Sequence, residues 1–300
     1  MSLPTTFFVG RGGGSSGPTT FEEMSVLATF NNTSTGRNGS LQTYTIPSDG
    51  FYCFVVRGAK GADNTAGGQS GGAGRSITSF AQVFSAGTHL KILVGQAGLY
   101  SPGGAQNNSG GGGGSFIWNN VDNTLYVAAG GGGGAASVDY SYKNAPDSIN
   151  GNDGFRHLTA YPTSQGGSNG QGGHHGDGDN RGGGGAGWLS DGKGNQSNTP
   201  DFERTAYRPL SVNFPGRGGA GGRNGDYTNG AEGGFGGGGG GGYHGTAAYG
   251  GGGGGYSGGG GGSWNSSSSG PGGGGGSYAL AGTHTSVLHY SVHGQVEVYG

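Results

Sequence analysis

Two textures alternate along this chain. Residues 41–57, 75–99, 115–129, 205–214 and 278–300 carry β-branched and aromatic side chains in near-alternating polarity, as in Leu41-Gln42-Thr43-Tyr44-Thr45-Ile46 and Gln295-Val296-Glu297-Val298-Tyr299. A period of two puts one face of an extended segment in a core and the other in water, so these stretches predict strands. Turn chemistry separates them. Pro47-Ser48-Asp49-Gly50 predicts a hairpin between two such runs, and Ser85-Ala86-Gly87-Thr88 another before His89-Leu90-Lys91-Ile92-Leu93-Val94. The helical period is nearly absent: Thr20 to Ala28 is the modest candidate, with Thr20 as cap and Glu22 and Glu23 in a first turn. About five to eight strands with turns between them imply an all-β fold, an antiparallel β sandwich with almost no α-helix.

The second texture is glycine in bursts, at residues 110–114, 130–134, 182–185, 236–242, 250–255, 258–262 and 272–276. Isolated glycine-rich segments are usually flexible linkers. Here bursts of matched length are threaded between short strands, and several leave a strand directly, as in Leu125-Tyr126-Val127-Ala128-Ala129-Gly130. Matched lengths suggest stacked neighbours. An extended threefold helix of the polyproline II kind has no internal hydrogen bonds, so its donors and acceptors point outward. Without side chains, such helices can approach from all sides and bond to one another. Ordering each glycine costs upwards of roughly 1–2 kcal/mol. That is offset only if whole arrays of peptide groups are paired, since each buried unpaired one costs about 1–3 kcal/mol. The sequence therefore predicts a bundle of polyglycine II helices beside the sandwich, each about 12–22 Å long. Residues 1–100 and 278–300 are assigned mainly to the sandwich, and 101–277 mainly to the bundle with loops and a few strands, within one domain spanning 1–300.

Composition bears on this in both directions. The 300 residues include 83 glycines and 10 prolines, past the roughly 25–30% level where low complexity is the default. Disorder, however, goes with few apolar groups and much charge, whereas 29% of this chain is hydrophobic and 10% charged. Collagen needs glycine at every third position, and the bursts exclude it. A net charge of −2, without charge runs, gives no footprint for nucleic acid or anionic lipid. No apolar stretch is long enough to span a bilayer, and the N-terminus lacks a secretory pattern. Cys53, the 1 cysteine, lies in the apolar run Phe51-Tyr52-Cys53-Phe54-Val55-Val56 and reads as a small buried hydrophobe.

The order of segments carries a resemblance. Thr45-Ile46-Pro47-Ser48-Asp49-Gly50-Phe51-Tyr52, then Val56-Arg57-Gly58-Ala59-Lys60-Gly61 and Leu90-Lys91-Ile92-Leu93-Val94-Gly95-Gln96-Ala97-Gly98, are followed by strand-plus-burst units at 110–116, 125–133, 233–236 and 250–256 and by a closing His293-Gly294-Gln295-Val296-Glu297-Val298. This series resembles the extracellular glycine-rich domain of anaplastic lymphoma kinase and leukocyte tyrosine kinase. The resemblance implies a jelly-roll sandwich of the tumour-necrosis-factor-like type with an inserted polyglycine II bundle, in receptors where the region binds small cytokine-like proteins. The chain departs from that pattern in its lone cysteine, its lack of a signal peptide and its ending at the last strand without anchor or kinase, as a free-standing module would.

Chemical motifs are sparse. Gly68-Gln69-Ser70-Gly71-Gly72 matches the G-x-S-x-G nucleophile pattern, which also occurs at Ser15, Ser168 and Ser257 and needs a strand-to-helix turn that no helix signal supplies. His174-His175-Gly176-Asp177-Gly178-Asp179-Asn180 is the one cluster of ligand-type side chains. It fails as a calcium loop because Arg181 and Trp188 fall where oxygen ligands belong. His174, His175, Asp177 and Asp179 therefore read as a solvated polar loop, with no metal, cofactor or catalytic residue assigned. Phe235, Tyr243, Tyr249, Tyr256, Trp264 and Tyr278 punctuate the C-terminal bursts where bundled helices would turn. They either cap the bundle or form a recognition surface of Tyr243, His244, Tyr249, Tyr256, Trp264 and Asn265, since such rings join an apolar body to a polar handle. The functional expectation is a non-enzymatic structural or recognition module that binds a cell-surface protein or glycan, at an extracellular or virion surface such as a tail fibre. The alternative is a self-assembling subunit of an extracellular filament or surface layer, and a homo-oligomer or larger assembly fits both. No nucleic acid partner and no membrane insertion are expected.

Overall fold

The structure is a computed structural model that describes residues 24–32, 34, 36–79, 82–101, 108–155, 164–176, 181–194, 204–221, 230–244, 247–264, 268–280 and 284–300. In chain order the strands are β1 (Val26–Asn31), β2 (Gln42–Thr45), β3 (Gly50–Arg57), β4 (Gly74–Ser79), β5 (Gln82–Phe84), β6 (His89–Leu93), β7 (Tyr100–Ser101), β8 (Asn108–Ser109), β9 (Ser115–Asn119), β10 (Leu125–Ala129), β11 (Gly242–His244), β12 (Ala247–Tyr249), β13 (Tyr278–Ala279), β14 (His284–His289) and β15 (Gln295–Tyr299).

A 6-stranded sheet, β1-β15-β3-β4-β14 with β5 paired to β3, packs on a 5-stranded sheet, β13-β10-β9-β6-β2, and the pairings are antiparallel. The period-two pattern becomes an all-β sandwich. Phe54, Val56, Ile77, Val296 and Val298 of the first sheet meet Leu90, Ile92, Ile117 and Val127 of the second in one buried cluster. Each such side chain contributes about 1.5–3 kcal/mol of burial. The second sheet is covered on its other face too: Leu93, Phe116, Trp118, Leu125 and Ala128 pack with Trp188 and Phe235 from the glycine-rich part. Burial on both faces is why Phe116-Ile117-Trp118 reads as a continuous apolar run.

Several local expectations are corrected. The corners at 47–50 and 85–88 are not hairpins, because each carries the chain from one sheet to the other. The two corners lie side by side, with Ile46 N–H donating to Thr88 O at 3.0 Å and Gly87 N–H to Ile46 O at 2.9 Å. Residues 205–214 form a loop instead of a strand. Pro209 and Pro215 lack donors, and the segment closes on itself through Tyr207 N–H to Arg217 O at 2.8 Å and Gly216 N–H to Arg208 O at 3.0 Å. Of the helix candidate at 20–28, residues 20–23 lie outside the described residues. The remainder runs into β1, held by the backbone of β15. The 3-10 turn Ser141–Lys143 is a short helical piece among the described residues.

The glycine-rich segments form extended rows, and five of them are continuous with sandwich strands: 58–62 follows β3, 70–73 precedes β4, 94–99 follows β6, 110–114 precedes β9 and 130–134 follows β10. The array is thus continuous with the strand ends, and its Trp188 and Phe235 also cover the outer face of the 5-stranded sheet. Its hydrogen bonding has a period of three. In row 250–256, Gly250, Gly253 and Tyr256 donate to Gly270, Gly273 and Gly276; Gly251 and Gly254 donate to Ser109 and Gly112; Gly252 and Gly255 donate to Gly183 and Ala186. The carbonyls of the same row accept from Gly262, Gly134, Gly239, Gly259 and Gly131 in turn. One row is therefore bonded to six others, whereas a β-strand bonds to two. Such closeness needs bare backbone: a Cβ on Gly253 would lie 2.1 Å from Gly131 O, and one on Gly131 2.3 Å from Gly112 O.

Candidate functional site

The rows reverse direction at two ends, and the ends differ. At the sandwich end the reversals carry Trp188, Phe235 and Tyr256, which pack with Phe116, Trp118 and Tyr278 on the 5-stranded sheet. Trp188 stacks on Phe116 with centroids 6.0 Å apart, and Tyr256 on Tyr278 at 4.7 Å. Aromatic rings here weld the array to the sheet. Tyr256, partly buried, packs against this cluster and stands apart from the other residues expected on a recognition surface.

The far end gathers a second set of reversals. Asn64 and Gln69 bridge one, β7 and β8 form another, Gly176 N–H to Gly182 O at 2.7 Å closes a third, β11 and β12 make a fourth, and Trp264 bridges Ser269 in a fifth. Cross-links join them into one surface: Ser109 bridges Gly250, its hydroxyl donates to Asp63 O at 3.1 Å, Gly182 N–H donates to Gly262 O at 3.1 Å, and the Ser137 hydroxyl donates to Ser269 O at 2.9 Å.

Tyr243, His244 and Tyr249 share the β11–β12 hairpin, and Trp264 lies on a neighbouring reversal. Their exposures divide them. Tyr249 is 1% exposed and Tyr243 8%, so both rings are buried, while Trp264 is 46% exposed. The Arg181 guanidinium sits 4.4 Å from the Tyr249 ring centre and bonds to its hydroxyl. Burial pushes the Tyr249 phenol pKa up, and the Arg181 charge opposes it. Asn265, Asp177 and Asp179 lie outside the described residues. Sequence reading missed Tyr100, 53% exposed on β7. The same rule that found the other aromatics, a ring at the edge of a glycine-rich row, applies to Leu99-Tyr100-Ser101.

His174 and His175 lie on the row that runs to the Gly176 reversal, held by His174 N–H to Gln165 O and Ser164 N–H to His175 O, both at 2.8 Å. They border a lateral groove of about 640 Å³. Burial lowers the His174 pKa, and the nearby Lys193 and His175 lower it further. Among the described residues no group of 3 or more His, Cys, Asp and Glu is placed to hold a metal ion. Ser70 of the G-x-S-x-G match is followed by an extended row and then β4, without the helix a nucleophile elbow needs. Its carbonyl accepts from Lys143 Nζ at 2.6 Å. No helix of the described residues is long and apolar enough to cross a membrane. Compared with known protein families and with curated proteins, the chain matches none.

Proposed function

We propose that this chain is a non-enzymatic recognition module, an exposed adhesion or receptor-binding protein of an extracellular or virion surface that binds a cell-surface protein or glycan through the far end of its glycine array. One observation carries the reading: cross-linked reversals bearing Trp264 and Tyr100 share one end, while the opposite end is fixed to the sandwich by buried rings. Loops held at one end of a rigid body are a common place for binding residues. The period-three bonding supports reading the rows as polyglycine II helices. The segment order resembling the glycine-rich domain of anaplastic lymphoma kinase supports the same scaffold. The test is retention of the purified chain on intact cells and on an array of cell-surface glycans. Trp264→Ala and Tyr100→Ala should each abolish retention without changing the melt; retention equal to the parent in both variants overturns the assignment of this end.

A second reading, self-assembly, rests on β14. This edge strand pairs with β4 over 6 consecutive residues without a bulge and contains neither lysine nor proline, the usual guards of an edge. Val287 is 52% exposed on it. Light scattering that shows oligomers dispersed by Val287→Lys supports this reading, and a monomer at all concentrations removes it.

A further inference from the structure

We propose that the lateral groove beside His174 is a binding site for a carboxylate-bearing saccharide, with Lys193 receiving the carboxylate. Two neighbouring extended segments build it. Lys193 N–H donates to Gly173 O at 2.9 Å and Gly184 N–H to Lys193 O at 3.0 Å, which pins the 190–194 segment onto the array. Gly172 N–H donates to the Ser190 hydroxyl at 2.9 Å, and Gly192 N–H to Ala206 O at 2.9 Å. The floor is glycine backbone, at Gly172, Gly192 and Gly194, and the rim carries Gln171, His174, His175, Ser190, Asp191 and Lys193. A Cβ on Gly172 would lie 2.2 Å from Asp191 O and one on Gly192 2.3 Å from Gly184 O, so contact between the segments, and with it the shape of the floor, depends on those glycines.

The lining selects the ligand class. A typical small-molecule pocket is mostly apolar with a few polar groups. This one has no large apolar or aromatic side chain, so a nucleobase or a steroid-like body has no platform. What it offers is hydrogen-bonding capacity of both signs: amide, hydroxyl, imidazole, carboxylate and ammonium groups at one opening. Asp191 Oδ1 accepts Arg208 N–H at 2.9 Å; its single negative charge opposes a dianionic phosphate about twice as strongly as a monoanionic carboxylate, and it accepts hydroxyl donors. Lys193 is exposed at the rim and supplies one positive charge, enough for one carboxylate. Several hydroxyls and one carboxylate on a ring of groove size describe an acidic sugar.

The experiment is calorimetric titration of the whole chain with sialyllactose and with a galacturonate oligomer as the two acidic probes, and with lactose and inorganic phosphate for comparison. Binding of at least one acidic saccharide is expected, with lactose and phosphate weaker by about tenfold or more, the loss expected for one charge-assisted hydrogen bond. Lys193→Gln should weaken the acidic ligand by about tenfold and leave lactose unchanged. Asp191→Asn keeps an acceptor for Arg208 N–H and should improve phosphate relative to sugar. The proposal fails if neither acidic saccharide binds, if Lys193→Gln binds as the parent does, or if phosphate binds as well as the sugar. Trp264→Ala should leave the titration unchanged, which separates this site from the far-end surface.

Discussion

Trp188 stands edge-on to Trp118 of β9, ring centroids 5.6 Å apart, and this pair joins the glycine array to the sandwich. Trp188 N–H also donates to Tyr256 O at 2.8 Å, so the ring and its backbone hold two reversals against one sheet face. Trp188→Ala removes a buried indole at the junction and should cost about 3–5 kcal/mol. Differential scanning calorimetry is expected to show one transition in the parent and two in the variant, as array and sandwich uncouple. A single transition lowered by less than about 1 kcal/mol would mean that the junction does not depend on this ring.

A glycine pair tests the array itself. Gly253 N–H donates to Gly273 O at 2.9 Å and a Cβ there would sit 2.1 Å from Gly131 O, whereas a Cβ on Gly50 meets nothing closer than 3.8 Å. Gly253→Ala has to push rows apart, at a cost of about 1–3 kcal/mol from overpacking, with more for each orphaned peptide group. Gly50→Ala should stay within about 0.5 kcal/mol, or gain slightly by restricting the unfolded chain. Thermal melts of the two variants decide it; equal midpoints would be incompatible with a close-packed array.

Exchange of backbone amides reads the same feature without substitution. The amides of Gly131, Gly252, Gly253 and Gly254 each donate to a buried carbonyl of another row and should exchange as slowly as those of β3 and β15. Exchange at the rate of the unfolded chain would show rows that separate freely.

Acid should weaken the fold. Burial lowers the pKa of His289, with the Arg57 charge adding to it and the hydrogen bond to His293 O opposing; burial lowers that of His293 as well. Ala97 N–H donates to His293 Nδ1 at 3.2 Å, which requires that nitrogen to be unprotonated. Folded values below the unfolded value of about 6.5 mean that the native chain binds fewer protons. Their contribution is complete above about pH 6.5 and is lost as pH falls through the depressed folded values. The midpoint of thermal unfolding is expected to fall on acidification from pH 7, and His293→Gln, with an amide oxygen as acceptor, should flatten the slope. A midpoint that rises on acidification contradicts the assignment.

Cys53 is 3% exposed opposite Tyr299, and burial pushes its thiol up to about 12. Native protein should therefore react slowly with a disulfide reagent at neutral pH, and one thiol per chain should appear on unfolding. Rapid native labelling would place the side chain at the surface.

Strands were legible where alternation records burial, as in Gln42–Thr45 and Gln295–Tyr299, and where a short apolar run is buried throughout, as in Gly50–Arg57; His89–Leu93 also falls within an expected run. The corners at 47–50 and 85–88 were legible as turns but not as sheet crossings, since Pro47 and Gly87 fix a local bend while the partner strand is chosen by the core. Residues 205–214 show the limit of composition, where apolar content without a partner edge gives a loop. The candidate site was half legible. Rings at burst boundaries were visible, but Tyr256 and Trp264 look alike in sequence, and only the sheet beneath one of them separates a packed ring from an exposed one.

Polarity period and the absence of a Cβ are local properties, so the alternation of half-buried strands with segments stripped of side chains is already written in the residue order. Which row bonds to which, which end carries the free reversals and which aromatic faces water were decided by the tertiary structure. A bare peptide can bond to any neighbour, so its partner is set by where the strands on either side have already been placed.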